Sequence, residues 1–188
     1  MKKVVLIDID GVSCDHAEAI CRFVNKDYDT AFTRDHVVKW DFSFGEIGFC
    51  DAVKKYYSKE DCVLGMSVMP GFKDFYLDIK DIFEVRFVTA RKDYCHESTK
   101  RWIFNNFKSE NVIFEKDKCK VQGDFLIDDT VDAVINAAKR GMSAFLLIQP
   151  WNKRDIRSDI IENDRVYVVD MFTEIQGVLK DLGVYRPC

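Results

Sequence analysis

The chain has 188 residues, 47% of them hydrophobic and 32% charged, with 15 Phe, 7 Tyr and 3 Trp; this suffices for one packed domain with room for an insertion, and it excludes a disordered chain. The net charge of -4 supplies no global field for nucleic acid and disfavours a nonspecific nucleic-acid binder. The cysteines (Cys14, Cys21, Cys50, Cys62, Cys95, Cys119 and Cys188) are odd in number and show no CxxC or zinc-type spacing, so reduced thiols in a cytosol are expected.

Residues 4–9 form an apolar, β-branched run that predicts a strand buried on both faces. The run is too short for a signal h-region or a membrane span, and a cytoplasmic protein is expected. Asp8, Asp10 and Gly11 stand at its C-terminal end. Residues 15–28 and 49–57 read as helices with interleaved aromatics, and 33–44 is poorly periodic. The whole stretch 14–69 reads as a small helical cap inserted after the first strand, with 1–13 and 70–188 as the core. Pro70-Gly71 punctuates its end, and 72–81 has helical spacing. Strands and helices then alternate. Strands are predicted over 84–88, 111–114, 124–127, 144–148 and 166–169, and helices over 94–107, 131–140 and 171–182. Gly141 follows the second of these helices as a C-cap. Residues 185–188 read as a frayed end. The alternation predicts an α/β fold with a Rossmann-like parallel sheet and helices on both faces.

In open α/β sheets ligands sit beyond the carboxyl ends of the strands. The polar residues at those ends are Asp8, Asp10, Thr89, Asp128 and Asp129. Any one acid alone reads as a helix cap or a loop residue. Four carboxylates at successive strand ends repel one another unless a cation neutralises them, and Mg²⁺ suits such hard oxygen ligands. His16, His36 and His96 show no ligand spacing and read as ordinary surface or core histidines. Cys14 has no base in register to make it a nucleophile.

Val4-Val5-Leu6-Ile7-Asp8-Ile9-Asp10-Gly11-Val12 resembles the first motif of the haloacid dehalogenase (HAD) superfamily. Phe87-Val88-Thr89-Ala90-Arg91 resembles the second, Asp117-Lys118 the third, and Asp124-Phe125-Leu126-Ile127-Asp128-Asp129 the fourth. The four come in the expected order and span nearly the whole chain. The resemblance implies a Mg²⁺-dependent phosphomonoesterase in which Asp8 attacks phosphorus and forms an acyl phosphate. Asp10 would be the acid and base, and its backbone carbonyl would join Asp8, Asp128 and Asp129 around the metal. Thr89 would donate to the phosphoryl oxygens and Lys118 would balance charge. Lys116 and Lys120 compete with Lys118, whose spacing to Asp124 is closer to the family pattern.

Within the superfamily the chain resembles the 5′(3′)-deoxyribonucleotidases and their bacterial and phage relatives, through the run from Asp117 to Asp129, Pro70-Gly71-Phe72, Gln149-Pro150-Trp151-Asn152 and the small cap. Thr130 stands where relatives often carry Arg, and Ala90-Arg91 where the mammalian enzymes have Ser-Pro. The implied substrate is a nucleoside monophosphate, a small phosphate ester. A nucleobase needs an aromatic face, and Trp40 and Phe42 are the expected contacts. Arg91 reads equally as a phosphate ligand or as a surface arginine pairing near Asp93. Lys100-Arg101 reads as a solvated helix face. The alternatives are a HAD phosphatase for a sugar phosphate or a nucleic-acid end, and a non-catalytic binding module on the same scaffold. No membrane association and no strong nucleic-acid binding are expected. Oligomeric state is open, a homodimer being among the states allowed. A receiver-type phospho-acceptor is disfavoured by the insertion of about 60 residues, since α/β connections are normally short.

Overall fold

The computed structural model describes residues 2–185. Six strands form one sheet: β1 (Val4–Asp8), then, after the inserted unit, β4 (Glu84–Thr89), β5 (Val112–Phe114), β6 (Phe125–Asp128), β7 (Ser143–Leu147) and β8 (Val166–Val169). Their order is β5-β4-β1-β6-β7-β8, and every pairing is parallel. The chain builds outward from β1 to β5, then returns to the other side of β1 and builds outward again. That reversal opens a crevice at the C-terminal end of β1, between β4 and β6.

The period-2 pattern of the strands explains the layers. Val5, Ile7, Phe87, Phe125, Ile127 and Phe145 pack on one face, against α4 (Phe72–Ile79), α5 (His96–Phe107) and α8 (Phe172–Asp181). Leu6, Val88, Leu126, Ala144 and Leu146 pack on the other, against α6 (Val131–Lys139) and the short α7 (Ser158–Ile161). Both faces are covered, so the strands are apolar almost throughout. Gly141, at φ 91°, ends α6 as expected. The helix expected from 94 begins instead with a 3₁₀ turn at Asp93–Cys95. Tyr185, expected to fray, is buried against the core, because its ring adds apolar surface to that face; 186–188 lie outside the described residues.

The inserted unit contains α1 (His16–Tyr28), α2 (Phe49–Tyr57) and α3 (Glu60–Leu64). Asp15 caps α1, its side chain accepting from the Glu18 amide at 3.1 Å. The poorly periodic stretch before α2 holds a 3₁₀ turn, Arg34–His36, and ends in a hairpin of β2 (Ser43–Phe44) and β3 (Ile47–Gly48). A two-residue Gly45-Glu46 loop with Gly45 at φ 69° makes that hairpin, the conformation such loops favour. Phe44 from it packs on Phe32, Phe42 and Phe49. The unit is therefore helical with one small hairpin. It is tied to the core through α3 and α5, where Glu60 pairs with Arg101 and the Trp102 indole N–H donates to the Met66 carbonyl at 2.8 Å. Among the described residues no helix is long and apolar enough to cross a membrane.

Candidate active site

Asp8 ends β1, and the backbone folds back onto it. The Ile9 amide donates to Asp8 Oδ1 at 2.7 Å, and the Ser13 hydroxyl donates to the Asp8 carbonyl at 3.1 Å. Gly11 follows at φ 77°. A Cβ at that position would overlap the Asp129 carboxylate and press on the Trp151 ring. The glycine after the acids is thus required twice, for its backbone conformation and for the close approach of Asp129.

Lys118 begins a 3₁₀ turn, Lys118–Lys120, and is buried. Its ammonium bridges Asp8 at 2.7 Å and Asp128 at 2.6 Å. Its rivals Lys116 and Lys120 are exposed. Asp128 also accepts from the Thr130 amide at 2.8 Å. Asp129 is held from the loop after β7: the Trp151 indole N–H donates to its Oδ2 at 2.7 Å. Asn152 donates to the Asp129 carbonyl at 2.7 Å and to the Leu147 carbonyl at 2.9 Å. The family resemblance marked this loop, but only the fold shows that Trp151 and Asn152 support Asp129.

Asp8, Asp128 and Asp129 each offer an oxygen, all within 4.8 Å of one another. Burial among like charges raises the Asp8 carboxyl to about 7: loss of solvent comes first, then the charges of Asp128 and Asp10, against the pull of Lys118. Burial, followed by the same crowding, pushes Asp129 well above the usual carboxylate range. Burial alone would discharge Lys118, but Asp128 and Asp8 override it and keep the ammonium charged.

Asp10 lives in the opposite field. Arg91 donates from Nε to Oδ2 at 3.0 Å and from Nη2 to Oδ1 at 2.7 Å, and the Tyr57 hydroxyl donates to Oδ1 at 2.5 Å. Burial would raise this carboxyl, but the Arg91 charge and its hydrogen bonds outweigh burial and hold it well below the usual range. Arg91, read from sequence as a phosphate ligand or a surface arginine, is neither exposed nor paired with Asp93: its side chain is 1% exposed, and its acid is Asp10. β4 ends at Thr89, and Arg91 follows two residues on, its side chain held between Asp10 and Thr99.

A cleft of about 360 Å³ opens above these groups. Asp8, Asp10, Thr89, Lys118 and Asp129 form its floor. The inserted unit contributes the facing wall, with Trp40, Phe49 and Tyr57 the largest rings and His16 beside them. Trp40 stacks on His16 with centroids 6.1 Å apart. Phe42, expected beside Trp40, does not reach the cleft: its ring packs on Phe32 and Phe44 in the hairpin's own core. His16, read as an ordinary histidine, lines the cleft, and its buried Nδ1 has no partner among the described residues. Burial pulls its pKa below the ordinary histidine value, against the opposing charge of Asp10. The one sequence signal for it is position, in the first helical turn after the Asp15 cap. Burial raises the Cys14 thiol well above its ordinary range, which makes it inert as a nucleophile.

The parallel sheet, its central crevice and the acids at its strand ends define a HAD-type hydrolase fold. Structures of HAD proteins superpose over nearly the whole chain. A HAD family hydrolase from Deinococcus radiodurans with bound phosphate and sodium gives a TM-score of 0.63 at 13% identity, covering 100% of this chain and 99% of that one. A haloacid dehalogenase-like protein from Streptococcus pneumoniae gives 0.64 at 12%, covering 95% and 98%. The HAD hydrolase YfnB from Bacillus subtilis, bound to magnesium, gives 0.58 at 16%, covering 95% and 98%. No curated protein matches in sequence. The family described as 5′ nucleotidase, deoxy (pyrimidine), cytosolic type C protein matches residues 2–176, and the chain belongs to that family, as a phosphatase of the HAD superfamily.

Proposed function

We propose that the protein is a Mg²⁺-dependent nucleotidase that removes phosphate from nucleoside monophosphates, deoxynucleotides foremost, through an acyl phosphate on Asp8. One observation carries the reading: a single cleft has an acid and lysine cluster at one end and aromatic rings from the inserted unit at the other. Residues 14–69 then act as a cap on a core of 1–13 and 70–188. The description of the family as a cytosolic type supports the same place for this chain.

The donor set fits a hard divalent cation. Asp8, Asp128 and Asp129 offer only oxygens, and Lys118 neutralises just one of their three charges. These three, with the Asp10 backbone carbonyl, would hold Mg²⁺. Bound there, the ion would offset the negative charge that a phosphate brings beside the Asp8 carboxylate.

An Asp8 oxygen forms the bond to phosphorus while the ester oxygen leaves with a proton from Asp10. Water then bonds to phosphorus, Asp10 takes its proton, and Asp8 departs as a carboxylate. Before substrate arrives Asp10 is held ionised; a phosphate dianion beside it favours the protonated form that the first step needs. Thr89 Oγ1 accepts from the Arg91 amide at 3.2 Å, which leaves its own proton for a phosphoryl oxygen. Lys118 stays charged and balances the transferring group. Trp40, not Phe42, offers the base its face.

The test is phosphate release from deoxy- and ribonucleoside monophosphates and sugar phosphates, with Mg²⁺ and with EDTA. Mg²⁺-dependent release favouring deoxynucleotides is expected, and release from sugar phosphates alone would discard the nucleotide. Asp8→Asn should abolish turnover while the fold persists; a variant keeping most of its rate would sink the acyl-phosphate role. Trp40→Ala should raise KM for nucleotides more than for p-nitrophenyl phosphate, and equal effects would remove Trp40 from the base site.

A further inference from the structure

We infer that Arg91 is a positioning residue: it fixes the orientation of the Asp10 carboxylate through a two-point ion pair and does not bind the substrate's phosphate. The inference rests on the reading of Asp10 as the acid and base. Arg91 has a planar, rigid fork, and every nitrogen of it is engaged. Nε and Nη2 hold the two oxygens of Asp10 at 3.0 and 2.7 Å, and Nη1 donates to the Thr99 hydroxyl at 3.0 Å. Nη2 also meets the sulfurs of Cys14 and Met66 at 3.3 and 3.1 Å. The Tyr57 ring lies 4.8 Å from the guanidinium carbon and covers it.

The backbone of Arg91 is anchored as well. Its amide donates to Thr89 Oγ1, and its carbonyl meets His96 Nε2 at 3.0 Å. Thr99, the far anchor, is fully buried. The Arg91 side chain is 1% exposed, whereas that of Asp10 is 23% exposed. Arg91 is also among the residues lining the cleft, but its guanidinium is enclosed and all its nitrogens are engaged, so a phosphate binding it would have to displace Asp10 or Thr99. Tyr57 holds the same carboxylate from the inserted unit, so Asp10 is aimed by groups on both sides of the cleft. Such aim has kinetic weight, because a misplacement of about 1 Å can cost roughly a hundredfold in rate.

A kinetic double-mutant cycle on the full chain decides it, with Mg²⁺, p-nitrophenyl phosphate as substrate and inorganic phosphate as competing inhibitor. If Arg91 acts through Asp10, Arg91→Lys lowers kcat about tenfold or more, yet changes it less than about twofold when added to Asp10→Asn. KM and the inhibition constant of phosphate then stay within about twofold of wild type. Were Arg91 a phosphate ligand, Arg91→Lys would weaken phosphate inhibition about tenfold and its effect would multiply with that of Asp10→Asn; either result overturns the inference. An unchanged kcat in Arg91→Lys with an impaired Asp10→Asn overturns the inference alone, whereas a near-wild-type Asp10→Asn overturns the acid–base reading and the inference with it. If Arg91→Lys does not fold, Thr99→Val, which removes only the Nη1 anchor, takes its place with the same pattern expected.

Discussion

Asp8 and Asp10 sit two residues apart at one strand end, and their surroundings drive them in opposite directions. Asp8 faces two other acids and holds its proton up to about 7, while Asp10 is kept ionised by Arg91. Carboxyl groups whose environments separate their proton affinities are the arrangement from which distinct nucleophile and acid–base roles arise. Gly11 lets the cluster close, because only a residue without a Cβ admits the Asp129 carboxylate so near the first loop. Gly11→Ala should therefore cost about 1–3 kcal/mol from its backbone conformation alone, as read by urea denaturation. Mg²⁺ binding should weaken with it, since the displaced atom is the Asp129 carboxylate. Unchanged stability and unchanged Mg²⁺ affinity would refute the close approach.

At the level of elements, the loop after β7 works as a buttress. Gln149 donates from Nε2 to the Gly11 carbonyl at 2.8 Å, Trp151 to Asp129, and Asn152 to the backbone on both sides. Thr130 follows the paired acids, and the indole of Trp151 supplies the contact to Asp129. Trp151→Phe keeps most of the buried ring and removes only that donor. It should weaken Mg²⁺ about tenfold, the usual scale for groups that orient a metal ligand, with a small change in thermal stability. Isothermal titration of Mg²⁺ into the variant measures this, and an unaltered affinity would show that the indole serves packing alone.

For the molecule as a whole, the acid cluster sets how stability depends on pH. In the metal-free protein Asp8 and Asp129 hold protons more tightly when folded than when unfolded. Both contributions are fully present below the ordinary Asp range; that of Asp8 is lost as pH rises through about 7, and that of Asp129 is likewise lost as pH rises. Asp10 has the opposite sign: its contribution is present above the ordinary range and is lost only in acid. Between pH 5 and pH 8 the cluster should therefore dominate. Mg²⁺ must displace its protons to bind, so millimolar Mg²⁺ should raise Tm more at pH 8 than at pH 5 by differential scanning fluorimetry. Equal shifts at both pH values would mean that the cluster does not bind the ion through ionised carboxylates.

The sequence by itself determined the parallel sheet, because apolar β-branched runs that alternate with helical periods have few other ways to bury both faces. It determined the ordered acids and Thr89, because residues at strand ends are local in the chain and keep their spacing; Lys118, in the 3₁₀ turn before β6, was singled out because its spacing to Asp124 resembles the family pattern. The place of Arg91 was decided only in three dimensions: an arginine two residues beyond a strand reads equally as a phosphate ligand or a surface group until Asp10 and Thr99 are seen to enclose it. The same holds for His16, which α1 brings to the cleft, and for Phe42, which packs on Phe32 and Phe44 instead of reaching it. Contacts between residues tens of positions apart depend on how elements pack, and neither propensity nor spacing along the chain encodes that.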